Sequence, residues 1–269
     1  MGNILDRIVA SKKDHVARSR AAVSLDALKQ SAPSADPPRD FAGAIVAPSP
    51  HGIHLIAEIK RRSPSAGLIR ADFDPAQLAA AYEQAGASAI SVLTDPDYFD
   101  GDIRHIRAVR AAASLPVLRK DFVIDEYQIW EARAAEADAV LLIAEVLGVE
   151  TVVRFAELIG ALGMTALIEA YQPDLMNGVL EAIADPIPGH VLIGINNRDL
   201  TRQVTDLSTT RRLAGLLTDT TRLVSESGIA TRADVLAVQQ AGAQAILVGE
   251  AILSASDVTT RIRELLATD

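Results

Sequence analysis

Apolar and polar positions form a repeating unit along this chain from residue 54 onward. Each unit has a short apolar run rich in Val, Ile and Leu, then a polar loop, then apolar residues at helical spacing. The runs predict strands and the spaced stretches predict amphipathic helices. The predicted strands are 54–59, 88–94, 115–119, 138–143, 164–169, 190–195, 221–225 and 244–248. The predicted helices are 75–86, 102–113, 125–136, 149–162, 173–184, 208–217, 231–241 and 257–267.

Eight consecutive β–α units favour a closed (β/α)8 barrel, the TIM-barrel fold of the α/β class, over an open doubly wound sheet. Near-continuous apolar strands such as AISVL and AVLLI are typical of parallel strands buried on both faces. The glycine fingerprint that opens a dinucleotide-binding fold is missing from the sequence. We therefore expect the barrel to occupy residues 51–269.

The first 50 residues do not follow the repeat. Apolar Ile4, Ile8 and Val9 among charged neighbours predict a surface helix within residues 3–19. A short helix is expected around residues 25–29, and the Pro- and Ser-rich segment 31–39 predicts a loop. We expect residues 1–50 to form an N-terminal helical extension that packs on the barrel.

Composition narrows the class of protein. Hydrophobic residues make up 49% of the chain and allow a sizeable core, whereas the formal charge of −9 argues against nucleic-acid binding. The sequence has no cysteine, so disulfides, thiolate metal sites and a cysteine nucleophile are excluded. No apolar run reaches the roughly 18 residues of a membrane span. We expect a cytoplasmic protein; the charge indicates no particular assembly, and a monomer is compatible with it.

Polar side chains end nearly every predicted strand. A barrel collects its active site at the carboxyl ends of its strands, so these residues should share one rim. His54 and His190 instead begin their strands and are assigned to the opposite, stabilising face. The rim residues are Glu58 and Lys60, Thr94 and Asp95, Arg119, Lys120 and Asp121, Glu169, Asn196, Asn197 and Arg198, Glu226 and Ser227, and Glu250.

Glycines follow the seventh and eighth predicted strands, at Ser227-Gly228 and at Gly249. Barrels build phosphate sites at this place from backbone N–H groups, which glycine lets a ligand approach closely. Lys60 and Ser63, after the adjoining first strand, could complete the phosphate site. An ordinary turn glycine is the alternative, but the paired occurrence favours phosphate.

The charged residues at the rim indicate acid–base chemistry. Lysines and glutamates occur there without histidine, and no Ser-His-Asp set is evident. We expect crowding by cations to lower a lysine pKa and an apolar mouth to raise a glutamate pKa. Lys60, Lys120 and Arg198 would together form a positive patch that attracts an anion.

No metal or other cofactor is required for this chemistry. The acidic loop Asp95–Asp102 differs from a calcium loop, because Phe99 and Asp100 replace a ligand and the glycine. We expect this loop to form a wall of the site, with Phe99 as a flat apolar surface.

These motifs resemble the indole-3-glycerol phosphate synthase family. The similar stretches, in family order over about residues 1–265, are ILDRIVASKK, IAEIKRRSPSAGLI, VLTDPDYFDGD, LPVLRKDFVIDEYQI, ADAVLLIAEVL, ALIEAY, IGINNRDL, SESGI and ILVGEAI. The resemblance implies ring closure of 1-(2-carboxyphenylamino)-1-deoxyribulose 5-phosphate to indole-3-glycerol phosphate, with loss of CO2 and water. The implied partner is therefore a phosphorylated small molecule.

The resemblance also implies roles for individual residues. Lys120 would be the general acid on the ribulose carbonyl, and Lys60 would meet the substrate carboxylate or act as a rival acid. Glu169 would serve the dehydration step, with Glu58 and Asn196 beside it. The other residues assigned to catalysis or substrate binding are Ser63, Phe99, Phe122, Leu141, Arg198, Glu226, Ser227, Gly228, Gly249 and Glu250, and the loop Arg61–Arg70 would be a mobile lid.

Two positions depart from the family pattern. Tyr171 stands where His or Asn is more common, so the sequence does not predict which groups contact Glu169. Glu250 stands where many members have Ser, so its carboxylate must turn away from a bound phosphate.

Two other functions fit parts of the same pattern. A phosphosugar isomerase or Schiff-base aldolase could use the same phosphate site with Lys120 as an amine nucleophile. A non-catalytic barrel could bind a phosphorylated ligand, although two glutamates beside an anion would serve little purpose in a pure binder.

Overall fold

The computed structural model describes residues 3–183, 187–202 and 204–267, and eight parallel strands close into a barrel within them. Each strand pairs with its neighbours in sequence, and the eighth pairs with the first. The (β/α)8 prediction is confirmed. The strands are β1 His54–Ile59, β2 Ala89–Leu93, β3 Val117–Lys120, β4 Ala139–Ile143, β5 Thr165–Ala170, β6 Val191–Asn196, β7 Leu223–Glu226 and β8 Ala245–Val248.

A helix follows each strand and covers the outside of the barrel. Aspartates cap several of them, since Asp74, Asp125 and Asp257 each accept backbone N–H groups of the first turn. All eight predicted helices are present; residue 184, the predicted end of the fifth, lies outside the described residues. The helices are Pro75–Ala85, Arg104–Ala112, Glu126–Ala134, Val149–Ala161, Pro173–Ala182, Ser208–Ala214, Arg232–Gln240 and Val258–Leu266.

The loops at the carboxyl end of the barrel contain short elements that the sequence pattern did not predict. Three are single-turn helices, Pro96–Phe99, Ala144–Leu147 and Glu250–Leu253. Two are hairpins with two-residue strands. One, which we call the lid hairpin because it lies in the predicted lid segment Arg61–Arg70, pairs Arg62–Ser63 with Gly67–Leu68. The other, the rim hairpin, pairs Arg198–Asp199 with Val204–Thr205.

The strands are buried on both faces, because alternate side chains enter two different cores. Leu118, Leu167 and Leu192 point into the barrel interior, whereas Val140 and Ile193 pack against the surrounding helices. This double burial explains why the strands are continuous apolar runs. It also means that a charged side chain at a strand end lies beside an apolar interior.

Three α-helices precede the barrel in the described residues: α1 Ile4–Ala22, α2 Leu25–Ser31 and α3 Phe41–Val46. The predicted helix α1 is confirmed and is longer than expected. Helix α3 was not predicted; Phe41 and Ile45 are fully buried in the interior cluster. Because the Ala42 N–H bonds to Thr165 at the beginning of β5, α3 closes the amino end of the barrel. The division of the chain at residue 50 stays a prediction.

The helices give no sign of a membrane span. Over the described ranges, no helix is long and apolar enough to cross a bilayer.

Candidate active site

A cavity of about 600 Å³ opens at the carboxyl ends of the strands. Fourteen of the fifteen residues that the sequence assigned to catalysis or binding line this cavity; Ser63 does not. Strand register explains the convergence, since Lys120 lies beside Leu93 and Glu226 lies beside Asn196 at the ends of neighbouring strands. The structure thus brings the strand-end residues together, while their roles stay predictions.

Lys120, at the end of β3, lies between two buried glutamates. Its Nζ is 3.2 Å from Oε2 of Glu169 and 2.9 Å from Oε2 of Glu226. Both glutamates are only 1% exposed. Asn196 donates its side-chain N–H to the other oxygen of Glu169 at 2.8 Å. One ammonium, two carboxylates and an amide therefore form a connected hydrogen-bond network around the middle of the cavity.

A second pair stands at the end of β1. Lys60 Nζ donates to Oε1 of Glu58 at 2.5 Å, and both side chains are largely buried. Residues two apart on a strand point to the same face, which places both side chains at the cavity. Gly249 allows this arrangement, because a Cβ there would overlap the Glu58 carboxylate.

The electrostatics correct two sequence-based expectations. Burial would lower the pKa of Lys120, but Glu226, Glu169 and Glu58 outweigh burial and raise it. The prediction of a lysine with a lowered pKa is therefore wrong for Lys120. The expected positive patch is also wrong, because Glu58 pairs with Lys60, Glu169 pairs with Lys120, and Glu250 lies 3.9 Å from Arg198.

The pKa values of Glu58 and Glu226 shift in opposite directions. Burial and the nearby Glu169 raise the pKa of Glu226, despite the opposing effect of Lys120. Burial also acts to raise the pKa of Glu58, but Lys60 and Lys120 together lower it. The cavity can therefore hold both a carboxylate and a protonated carboxyl group, which suits proton transfer in both directions.

An apolar wall lies on one side of the charged cluster. The rings of Phe99 and Phe122 have centroids 6.2 Å apart, and Leu141 lines the cavity with them. Phe99 belongs to the single-turn helix that Asp95 caps, and Phe122 follows β3. The acidic loop thus lines the cavity, as predicted, and offers a flat surface for an aromatic ring.

Two turns that contain glycine lie on the other side of the charged cluster. Ser227 and Gly228 both have positive φ, 65° and 77°, so two successive residues adopt the left-handed conformation. The Asn197 side chain donates to the carbonyl groups of Glu226 and Ser227 and fixes this turn. Gly249 stands at the start of the short helix Glu250–Leu253 and also lines the cavity. Backbone N–H groups in such turns suit an anion.

The lid hairpin approaches the cavity from β1. Ser63 is buried on this hairpin and lines a small neighbouring cavity together with Lys60 and with Leu5 and Ile8 of α1. Arg198 donates to Ser65 at 3.1 Å and thereby ties the lid hairpin to the rim hairpin. Glu250 is half exposed and lies 3.9 Å from Arg198.

Two features of this region were missed by the sequence analysis. Glu226 was assigned to binding, but its ion pair places it in the Lys120 cluster. Glu145 was not singled out, although its carboxylate accepts the backbone N–H groups of Tyr171 and Gln172, just after Glu169. Only the position of Glu145, two residues past the end of β4, could have signalled it.

Metal-binding clusters do not occur in the described part of the chain. No group of three or more His, Asp or Glu side chains there is arranged to hold an ion.

The fold and the cavity define a class of protein: a (β/α)8-barrel enzyme with acid–base groups at the carboxyl ends of its strands. The sequence model of the family described as indole-3-glycerol phosphate synthase matches residues 5–265. The chain belongs to this family. It is therefore a carboxy-lyase of tryptophan biosynthesis.

Individual relatives agree with the family match. Indole-3-glycerol phosphate synthase of Roseiflexus sp. (strain RS-1) is 46% identical over 98% of both chains. The protein of the same name from Rhodopirellula baltica is 45% identical over 98% of this chain and 99% of its own. Among solved structures, 3-hexulose-6-phosphate synthase from Salmonella typhimurium aligns with a TM-score of 0.63 at 16% identity, over 80% of this chain and 97% of its own. That likeness shows the fold alone.

Proposed function

We propose that the cavity binds 1-(2-carboxyphenylamino)-1-deoxyribulose 5-phosphate and closes the indole ring with Lys120 as general acid. Three zones of the cavity take part: the apolar wall, the charged cluster around Lys120, and the glycine turns. The observation that supports this proposal is the position of the zones around the closed barrel: the wall comes from β2–β4 and the glycine turns follow β7 and β8. Phe99 and Phe122 offer a surface for the aromatic ring, and Lys120 with Glu169 stands in the middle. The turns at Gly228 and Gly249 lie beyond and suit the phosphate.

In this account Lys120 protonates the ribulose carbonyl oxygen while the ring carbon that bears the carboxylate attacks the carbonyl carbon. One C–C bond forms and the carbonyl becomes a hydroxyl group. The ring carboxylate then leaves as CO2, and its bonding electrons restore the aromatic ring. The raised pKa of Lys120 supports this role, because the side chain enters the reaction as an ammonium that can donate.

Glu169 serves the dehydration that follows. Loss of the new hydroxyl as water requires a proton for the leaving oxygen and removal of a proton from the neighbouring carbon. Glu169 accepts hydrogen bonds from Lys120 and Asn196, which hold its two oxygens in fixed directions. The carboxyl of Glu226, whose pKa is raised, can return a proton to Lys120 at 2.9 Å.

Lys60 meets the substrate carboxylate in this account. Its ammonium is paired with Glu58 and does not contact Lys120's carboxylates, so the two lysines have separate partners. This separation supports Lys120 as the acid and Lys60 as the anion contact.

Borohydride reduction during turnover tests the proposal against the Schiff-base alternative. The intact protein should keep its mass by mass spectrometry, because an ammonium does not form an imine. The natural substrate and an unrelated ketose phosphate should be compared in the same assay. A reduced adduct on Lys120 would overturn the acid–base assignment.

We infer that the enzyme does not bind nucleic acid and acts in the cytoplasm; the charge of −9 supports the first point. Location and assembly stay predictions. Light scattering coupled to size-exclusion chromatography measures the assembly directly.

A further inference from the structure

Helix α1 carries a buried ammonium that faces the barrel. Lys12 is 1% exposed, and its Nζ lies 2.6 Å from Oδ2 of Asp95 and 2.7 Å from Oδ1 of Asp121. Lys13, the next residue, is exposed. Burying a lysine is costly unless its charge is compensated, and here two buried carboxylates compensate it. Lys12 does not line the cavity, so it acts on the site only through these partners.

Asp121 connects Lys12 to the end of β3. It follows Lys120 directly, and the oxygen that pairs with Lys12 also accepts the Phe122 N–H at 2.8 Å. The second oxygen accepts from Thr94 at 2.7 Å and from Arg119 at 3.2 Å. Burial acts to raise the pKa of Asp121, but Lys12 and Arg119 hold it well below its usual range. The carboxylate is thus a charged anchor for the backbone between Lys120 and Phe122.

Asp95 connects Lys12 to the other aromatic residue. It caps the helix Pro96–Phe99 by accepting the Tyr98 N–H at 2.8 Å with one oxygen, while its second oxygen pairs with Lys12. Phe99 ends this helix and packs beside Phe122. One ammonium on the N-terminal helix therefore joins the two loops that carry the aromatic wall.

We propose that Lys12 is a positioning residue for ring closure, which holds Phe99, Phe122 and the backbone beside Lys120 in register through Asp95 and Asp121. The inference rests on the proposed function, because it gives Lys12 a role in binding the aromatic part of that substrate. Helix α1 then helps to position the active site, although Lys12 itself does not touch the substrate.

Lys12→Met tests the inference, since it keeps a similar length and removes the charge. It leaves Asp95 without its cation and Asp121 with Arg119 alone. The two buried carboxylates should therefore separate and shift the aromatic wall. We expect kcat/KM to fall about 10- to 100-fold, the scale of a displacement of about 1 Å at a reacting centre. Lys12→Arg keeps the charge and should restore part of the loss, while Lys13→Met on the exposed side is the matched control.

Two binding measurements separate positioning from folding and do not depend on turnover. The borohydride-reduced substrate has an alcohol in place of the ketone and cannot react; Lys12→Met should weaken its binding at least 10-fold by calorimetry. Inorganic phosphate should bind equally well to the variant and the parent, because the turns at Gly228 and Gly249 lie away from Lys12. Equal weakening of both ligands would mean general loss of structure and would overturn the inference.

Unchanged kcat, KM and affinity for the reduced substrate in folded Lys12→Met would also overturn it. If Lys12→Met does not fold, the double variant Lys12→Met with Asp95→Asn leaves a single buried carboxylate. The same kinetic and binding measurements are then made on the double variant. If the parent binds the reduced substrate but shows no turnover, the proposed function fails, while the binding comparison still decides the role of Lys12.

Discussion

Lys120 has two buried glutamates within 3.2 Å, so a proton given to the substrate can be replaced from inside the cluster. This arrangement needs no histidine and no metal ligand for proton transfer. It also keeps the lysine charged, because its pKa is raised by the carboxylates around it. Catalysis therefore depends on Lys120 as proton donor in ring closure and on Glu169 in the later dehydration.

Lys120→Ala and Glu169→Gln should each lower kcat by roughly two to four orders of magnitude, the scale of a lost acid–base group. The physical reason is that each variant removes a proton donor or acceptor while the cavity walls remain. Steady-state rates of indole formation measure the effect. Glu157→Gln, on an exposed helical position, is the control. Near-normal kcat in either site variant contradicts its assignment.

Glu145 should make stability depend on pH. Burial raises its pKa to about 7, well above the ordinary value for a glutamate. Between about pH 4.5 and 7 the folded state therefore binds more protons than the unfolded state, and stability falls as pH rises through this window. Glu145→Gln can still accept the N–H groups of Tyr171 and Gln172 but does not titrate.

We expect Glu145→Gln to match the parent near pH 4.5 and to exceed it at pH 8 by up to roughly 3 kcal/mol, from about 1.4 kcal/mol per pKa unit. Urea unfolding across this pH range measures the difference. A stability difference that does not change with pH contradicts a raised Glu145 pKa.

Gly228→Val should mainly raise KM. The position has a φ of 77°, and a side chain there would meet Thr205 and crowd the turn that is proposed to hold phosphate. We expect KM to rise at least tenfold, about 1.4 kcal/mol of lost binding, with inhibition by inorganic phosphate weakened in parallel. Gly189→Val, at a turn with open space around it, is the control. An unchanged KM argues against the phosphate turn.

The elements of the barrel could be predicted because their patterns are long and repeated. Apolar runs such as 138–143 contain the observed strand Ala139–Ile143 with an error of one residue. The lid hairpin and the helix Phe41–Val46 could not be predicted, since a two-residue strand or a six-residue helix is too short to show a periodic pattern. These short elements owe their structure to the packing around them.

Helix α3 should contribute stability and little to chemistry, because it lies at the end of the barrel opposite the cavity. Phe41 is fully buried there. We expect Phe41→Ala to lower the free energy of unfolding by about 3–5 kcal/mol, the usual cost of a large cavity. Val46→Ala, on the same helix but exposed, should change it little. The measurement is urea unfolding with KM determined on the same samples; a large KM change in folded Phe41→Ala contradicts the separation of roles.

At the scale of the whole molecule, the closed barrel turns residues far apart in sequence into neighbours. Residue types at strand ends could be read from the sequence, and the fold then brought Lys120, Glu169 and Glu226 together. The sequence does not show which charged side chains form ion pairs, because pairing depends on the positions of side chains from different strands. Lys12 shows the same limit, since its partners lie more than 80 residues away.

The most direct test of the whole account is indole fluorescence when the purified protein meets 1-(2-carboxyphenylamino)-1-deoxyribulose 5-phosphate in a buffer containing a metal chelator. We expect a signal that grows in proportion to enzyme concentration, with one CO2 released for each indole ring formed. A flat trace from folded protein that binds the compound would contradict it.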